Sequence, residues 1–217
     1  MKNLYILILL IFLSNCILFN QEVVGSGNTI EKNFVLNDYD SISLEGGYKL
    51  TPTETIPSGE IKIETDDNLF NYLEISKSGT KIKIKYKDGY QLKPSRHIYI
   101  KVAKNISNIE NSGSLSLYET NISRNYYKIS SSGSLSLDLS GSCNKFEIDS
   151  SGSLNFYGKN LTNTTLNVNV SGTVDMTVRV ISLFKINVSG SGYIEYYGNP
   201  TICDSFCGSV LIEKAGN

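Results

Sequence analysis

Ser-Gly pairs recur through the second half of the chain at Ser112-Gly113, Ser132-Gly133, Ser151-Gly152, Ser171-Gly172 and Ser191-Gly192, with steps of 20, 19, 20 and 20 residues. A period this regular restricts the chain to architectures that stack one supersecondary unit on the next. With each serine as origin, the residues three and five places later are apolar in every copy: Leu115 and Leu117, Leu135 and Leu137, Leu154 and Phe156, Val174 and Met176, Ile194 and Tyr196. Three places before the serines stand Ile109, Ile129, Ile148, Val168 and Val188. Five places before stand Ser107, Tyr127, Phe146, Leu166 and Ile186, of which only Ser107 departs from the pattern. The positions between are mostly polar, as at Ser116, Ser136, Asn155, Asp175 and Glu195, so an alternation of period two buries one set and exposes the other.

Each repeat therefore holds two short strands on either side of a Ser-Gly corner, where glycine takes backbone angles closed to other residues. A third side is less regular: Ile122, Leu161 and Ile181 lie ten places after their serines, but Ser142 holds that place in the second copy. A helical reading fails because the apolar period is two and glycine interrupts each segment. A propeller blade needs about 40 residues, twice this repeat. The predicted fold is all-β: a parallel β-solenoid (β-helix) of about 20-residue coils over 105–217, preceded by an irregular β-strand region over 30–104 that caps its N-terminal end. Together 30–217 read as one continuous domain. In the first part Ile42-Ser43-Leu44, Glu60 to Glu64, Lys81 to Tyr86 and His97 to Val102 alternate clearly, and Glu45-Gly46-Gly47-Tyr48 interrupts the first of them. Asp66 to Leu73 reads as one helical turn with Asp66 or Asp67 as its N-cap.

Residues 1–16 read as an export signal, with Lys2 as the positive n-region and Leu4 to Leu13 as the apolar run, followed by a linker over 17–29. The run is broken at Ser14 and Asn15, well short of the about 20 apolar residues of a membrane span. Leu13-Ser14-Asn15-Cys16 looks like a bacterial lipobox. On that reading Cys16 carries the lipid and the membrane is a partner through the anchor; ordinary cleavage near Cys16 or Gly25 is the alternative. Lys plus Arg number 20 against 21 Asp plus Glu, so no basic field marks a nucleic-acid partner.

Cys143, Cys203 and Cys207 remain in the exported part. A Cys203–Cys207 disulfide requires a sharp turn between them, and free thiols are the other reading. Cys-x3-Cys lacks two further zinc ligands, and His97 is the single histidine, so no metal or other cofactor is expected. The carboxylates Asp138, Asp175 and Glu195 are scattered among Ser, Asn and Thr and do not read as the paired carboxyls of a glycosidase; no catalytic residue is assigned. Tyr118, Asp138, Tyr157, Thr177 and Tyr197 each lie six places after a corner serine, with Tyr193 on the same wall. Aromatic rings on a strand face stack on sugars or anchor a protein contact, which makes Tyr118, Tyr157, Tyr193 and Tyr197 the candidate binding surface.

The chain resembles the head GIN domain of auto-transporter adhesins, a domain family of unknown function, from about Gly27 to its last residues. The likeness rests on Tyr39-Asp40-Ser41-Ile42-Ser43-Leu44-Glu45-Gly46-Gly47, on Glu64-Thr65-Asp66-Asp67-Asn68-Leu69, and most specifically on Gly190-Ser191-Gly192-Tyr193-Ile194-Glu195-Tyr196-Tyr197-Gly198-Asn199-Pro200. The resemblance implies a β-solenoid after a more irregular strand region, in exported bacterial proteins without an established enzyme activity. The expected function is that of a cell-envelope protein, a lipoprotein of the outer membrane or a secreted protein, acting as a structural or adhesive binding module for a surface glycan or an envelope protein. The alternative is a carbohydrate-binding or carbohydrate-cleaving β-helix protein.

Overall fold

The structure, a computed structural model, describes residues 20–216. Residues 1–16, expected as an export signal ending in a lipobox at Cys16, lie outside the described residues. Strands dominate: β1 (Gln21–Val24), β2 (Thr29–Val35), β3 (Ser41–Thr53), β4 (Glu60–Asp66), a 3-10 turn (Asp67–Tyr72), β5 (Leu73–Ser78), β6 (Lys81–Tyr86), β7 (Tyr90–Lys93), β8 (Tyr99–Ala103), β9 (Asn108–Ser131), β10 (Ser134–Ser150), β11 (Ser153–Tyr197) and β12 (Thr201–Gly216). The protein is all-β, with no closed barrel. Among the described residues no helix is long and apolar enough to cross a membrane.

β9 to β12 lie side by side in parallel, and like residues meet at each rung. Leu115, Leu135 and Leu154 are aligned, as are Tyr127, Phe146 and Leu166, because each strand pairs with the chain about one repeat away. The apolar sets at three and five places from the corners are buried, except Tyr196, which is half-buried, and they belong to one core that runs from Tyr39 to Ile194. Inside it the Tyr127 ring stacks on Phe146 at 5.3 Å, and Phe146 meets Phe156 edge-on at 5.7 Å. Each fully buried side chain of this size contributes about 1.5–3 kcal/mol, and the in-register ladder delivers that contribution rung after rung.

The stack also contains a rung that lies within 30–104. β3 pairs in parallel with β9 from Ser41↔Asn108 through Gly46↔Gly113 to Leu50↔Leu117. Glu45-Gly46, which reads in sequence as an interruption of a strand, is thus the first corner of the same series. The corners form a column of glycines: Gly46, Gly113, Gly133, Gly152, Gly172, Gly190 and Gly208. A Cβ on Gly133 would lie 2.0 Å from the carbonyl oxygen of Gly113, and one on Gly190 1.9 Å from that of Gly172. Backbone meets backbone at this corner, so no side chain fits between rungs.

That column corrects the placing of the fifth corner, which is Ser189-Gly190 rather than Ser191-Gly192. Gly192 instead abuts Val174, and Gly198 abuts Val180, so the chain after Gly172 is in register with positions 18 residues earlier (Gly190 to Gly172). The two missing residues come from the third side, where Ile181, expected to point inward, is 49% exposed while Val180 is buried. Losing two residues preserves the alternation of period two, so Ile194 remains fully buried although its rung has slipped. In the second copy it is Gly141, with φ 123°, that pairs with Ile122 and Leu161, and Ser142 is exposed beside it.

Beyond β3 the stack changes character. β6 and β8 add to its other edge in parallel, then β5 and β4 turn antiparallel against them, and β2 against β4. Part of the segment expected as a linker is a strand: β1 pairs in parallel with β7. Specific side chains tie this cap. The Tyr86 ring covers the first corner glycine, its oxygen accepting from the Gly47 N–H at 3.0 Å. Buried Tyr39 donates to the Glu60 carbonyl at 2.5 Å and accepts from the Ala103 N–H at 3.0 Å. Asp66 occupies the N-cap position of the 3-10 turn but makes no capping bond. Its carboxylate accepts instead from the Gly27 N–H at 2.8 Å and from the Ser95 N–H and hydroxyl at 2.8 and 2.6 Å, charge-assisted bonds that tie two loops to the turn. Burial raises the Asp66 pKa, and these bonds outweigh it, leaving the carboxyl below its ordinary value.

Candidate functional site

The strand entering each corner presents polar side chains two places before the glycine's serine, and the serine itself stands at the rim. Stacked at the roughly 4.8 Å strand spacing, these positions become continuous columns along the molecule. One reads Glu110, Ser130, Asp149, Asn169, Asn187 and Ser205; the other reads Ser112, Ser132, Ser151, Ser171, Ser189 and Cys207. Between them runs an open groove of about 750 Å³ that reaches from Glu45 on β3 to Cys207 on β12. Its depth follows from the glycine corner, which brings the two walls together without a side chain at the bend.

Serine, asparagine and carboxylate side chains line the groove, but most of its accessible lining is apolar, Val170 and Val188 included. Asn169 donates to Asp149 Oδ1 at 2.8 Å, and Asn187 donates to Asn169 Oδ1 at 2.8 Å, so side-chain amides form a ladder along one wall. Lys128 Nζ lies 3.2 Å from the other Asp149 oxygen, and Lys81 Nζ lies 2.6 Å from Glu110. On the floor Asn111 donates to Ser131 Oγ at 3.0 Å and to the Gly113 carbonyl at 3.1 Å. Asn111 Oδ1 and Ser150 Oγ, both buried and both lining the groove, have no hydrogen-bond partner among the described residues. Further along the floor the same column turns apolar at Val170 and Val188. Beside the groove, the Glu147 carboxyl is held below its usual value by hydrogen bonds first from Lys145 and then from Tyr126. The Tyr126 hydroxyl is correspondingly pushed up to about 12 by its bond to Glu147.

The tyrosines proposed from sequence do not come together as one surface. Tyr118, Asp138 and Tyr157 do share a column, with Tyr118 52% and Tyr157 61% exposed. The two-residue shortening of the fourth repeat then moves the last rung. Tyr197 stands against Lys159 and Arg179, whose cations lie 4.5 and 5.4 Å from its ring centre, and it is only half exposed. Tyr193 falls in the neighbouring column and donates to Glu213 at 3.0 Å. Of the two readings of Cys203 and Cys207, the structure has the free thiols, both exposed. They lie on one extended strand paired with Lys185 to Ser189. Four residues of strand span about 13 Å, beyond the reach of a disulfide. Among the described residues no three His, Cys, Asp or Glu side chains gather as a metal-binding group.

The serines of the groove were visible in sequence as corner chemistry, and the residues two places before them as solvent-facing polar positions. Each is unremarkable alone. The signal is that every rung carries a small or polar side chain at both places, which only the stacked register turns into a lined trough.

A family model described as "Putative auto-transporter adhesin, head GIN domain" matches residues 38–200. Among solved structures, a putative adhesin from Bacteroides fragilis superposes with a TM-score of 0.67 at 17% identity, over 88% of this chain and 99% of its own. A putative lipid binding protein from Parabacteroides distasonis superposes with a TM-score of 0.53 at 22% identity, over 90% of this chain and 100% of its own. No curated protein matches the chain.

Proposed function

The chain belongs to the head GIN domain family of auto-transporter adhesins, and from that premise we propose that it is a surface-exposed adhesive binding module that holds an extended, hydroxyl-rich polymer, a surface glycan, along the serine groove. The observation that carries the reading is the groove's periodicity: a hydroxyl on every rung, with Glu110, Asp149, Asn169 or Asn187 beside it on four of the six. A polymer lying along the stack meets a hydroxyl at every step, so weak bonds accumulate as they do in any multivalent contact. Hydroxyls set beside a largely apolar lining suit a ligand that offers both hydroxyl groups and C–H faces, as sugar rings do.

The parallel ladder with its glycine corners is read as a β-solenoid, with β3 as its first coil and the antiparallel strands as the cap on its N-terminal end. The module is non-enzymatic on this reading. Glu110 and Asp149 are engaged by Lys81 and Lys128, and Asp138, Asp175 and Glu195 stand outside the groove. Export and a lipid on Cys16 would place the groove at the cell surface. Cys16→Ala should release the protein from membranes; unchanged membrane retention and mass remove the anchor.

The test of the groove is binding to a panel of purified bacterial surface polysaccharides by biolayer interferometry. Ser151→Tyr, which fills the trough from an exposed rim position, should weaken binding at least about 10-fold, roughly 1.4 kcal/mol, while Tyr157→Ala leaves it unchanged. The opposite result moves the contact to the Tyr118–Tyr157 face.

A further inference from the structure

The last strand, whose Ser205 and Cys207 line one end of the groove, presents an open edge. Among the described residues β12 pairs on one side only, with β11, whereas at the other end of the stack the edge of β3 is taken up by β6 and β8. Head-to-tail growth needs a free strand at both ends. In the cap β2 and β5 also pair on one side only, but they carry no cysteine, so the exposed thiols select a contact of β12 with its own copy, tail to tail, isologous and closing at two subunits. A twofold axis across the stack reverses strand direction, so β12 meets its copy antiparallel.

The thiols supply the register. Cys203 and Cys207 are exposed and lie symmetrically about Ser205 on β12. An antiparallel pairing centred on Ser205 sets Cys203 opposite Cys207 of the second copy, and Cys207 opposite its Cys203. Directly opposed residues in such a ladder have Cα atoms about 4.5–5.5 Å apart, inside the about 4.4–6.8 Å range of a disulfide. Asp204 explains why a covalent link matters. It continues the inward column of Ile129, Ile148, Val168 and Ile186, and a charge in that row blunts a free strand edge against indiscriminate pairing.

We infer that β12 is a redox-controlled dimerisation edge, at which two copies of this chain pair antiparallel and are joined by two Cys203–Cys207 disulfides. Each bridge takes two electrons and two protons from a pair of thiols and passes them to a small-molecule or protein disulfide, which is cleaved to two thiols. Cys143 takes no part, because it is buried and its thiol is pushed up to about 11 by that burial.

The purified chain is equilibrated in a glutathione redox buffer and followed by non-reducing electrophoresis and peptide mapping. Wild type should give a covalent dimer in which Cys203 of one chain is linked to Cys207 of the other. Cys203→Ser alone and Cys207→Ser alone should remain free of covalent dimer, since each leaves every cysteine facing a serine. An equimolar mixture of the two variants should restore a covalent species, a mixed dimer with a single bridge. A wild-type chain that stays monomeric, single variants that crosslink to themselves as well as wild type, or a mixture that gives no mixed dimer overturns the inference.

Discussion

The two ends of this molecule are held by different physics. In the stack of β3 with β9 to β12 the chain is organised by its backbone, with corner glycines aligned rung on rung and side chains in repeated rows, so every rung solves the same problem in the same way. In the cap, strands run in both directions and unique side chains make the closures: Tyr86 over Gly46, Tyr39 between Glu60 and Ala103, Asp66 between Gly27 and Ser95. A repeated contact is robust to polar substitution on its surface but intolerant of bulk at the corner. A unique contact is the reverse.

The sharpest way to break this contrast is at the glycines. Gly133→Ala places a Cβ 2.0 Å from the Gly113 carbonyl and should cost more than about 4 kcal/mol in urea unfolding. Gly89→Ala in the cap, which meets open space at φ 82°, should cost only about 1–2 kcal/mol. Equal effects would show that the corner column does not hold the stack.

One site in the stack behaves like the cap. Glu119 is buried with its two carboxylate oxygens 2.7 and 2.8 Å from Arg124, whose guanidinium also donates to the Lys104 carbonyl at 2.7 Å and lies over the Tyr127 ring. Glu119→Ala leaves a desolvated charge and should destabilise by about 3–5 kcal/mol, whereas replacing both partners by apolar residues should recover most of the loss in a double-mutant cycle.

In the cap, Asp66→Asn should cost about 2–3 kcal/mol by weakening charge-assisted bonds to Gly27 and Ser95. Because the folded carboxyl lies below its unfolded value, its contribution is full above the unfolded pKa and is lost as pH falls through the folded one. Acid unfolding monitored by hydrogen exchange should therefore open the cap before the stack, and the Asn variant should flatten that dependence. A stack that opens first reverses the assignment. The smallest effect is spectroscopic: Glu147→Gln should bring the Tyr126 ionisation down from about 12 toward the ordinary tyrosine value in an ultraviolet titration, with little change in stability.

The contrast also explains what was legible. The inward rows Leu115, Leu135 and Leu154 or Ile129, Ile148 and Val168 could be read from sequence because stacking demands the same residue type at the same place in each turn of the repeat. Glu45-Gly46 escaped recognition as a corner because residues 54–104 separate it from the rest of the series, and the repeat cannot be counted across them. The tyrosine column was misread for a related reason. A shift of two residues leaves inside and outside unchanged, so the pattern after Gly172 looks intact while Tyr193 and Tyr197 move to other columns.

Sequence alone determined the class of the fold, the identity of the buried rows and the need for glycine at the bends, since periodicity and steric exclusion are properties of the local chain. Only the tertiary structure decided which rung each residue joins, that β3 opens the stack, that polar positions of no individual note align into a groove, and that Cys203 and Cys207 stand apart on an open edge. Those are questions of register between segments distant in sequence, and register is fixed by how the whole stack packs.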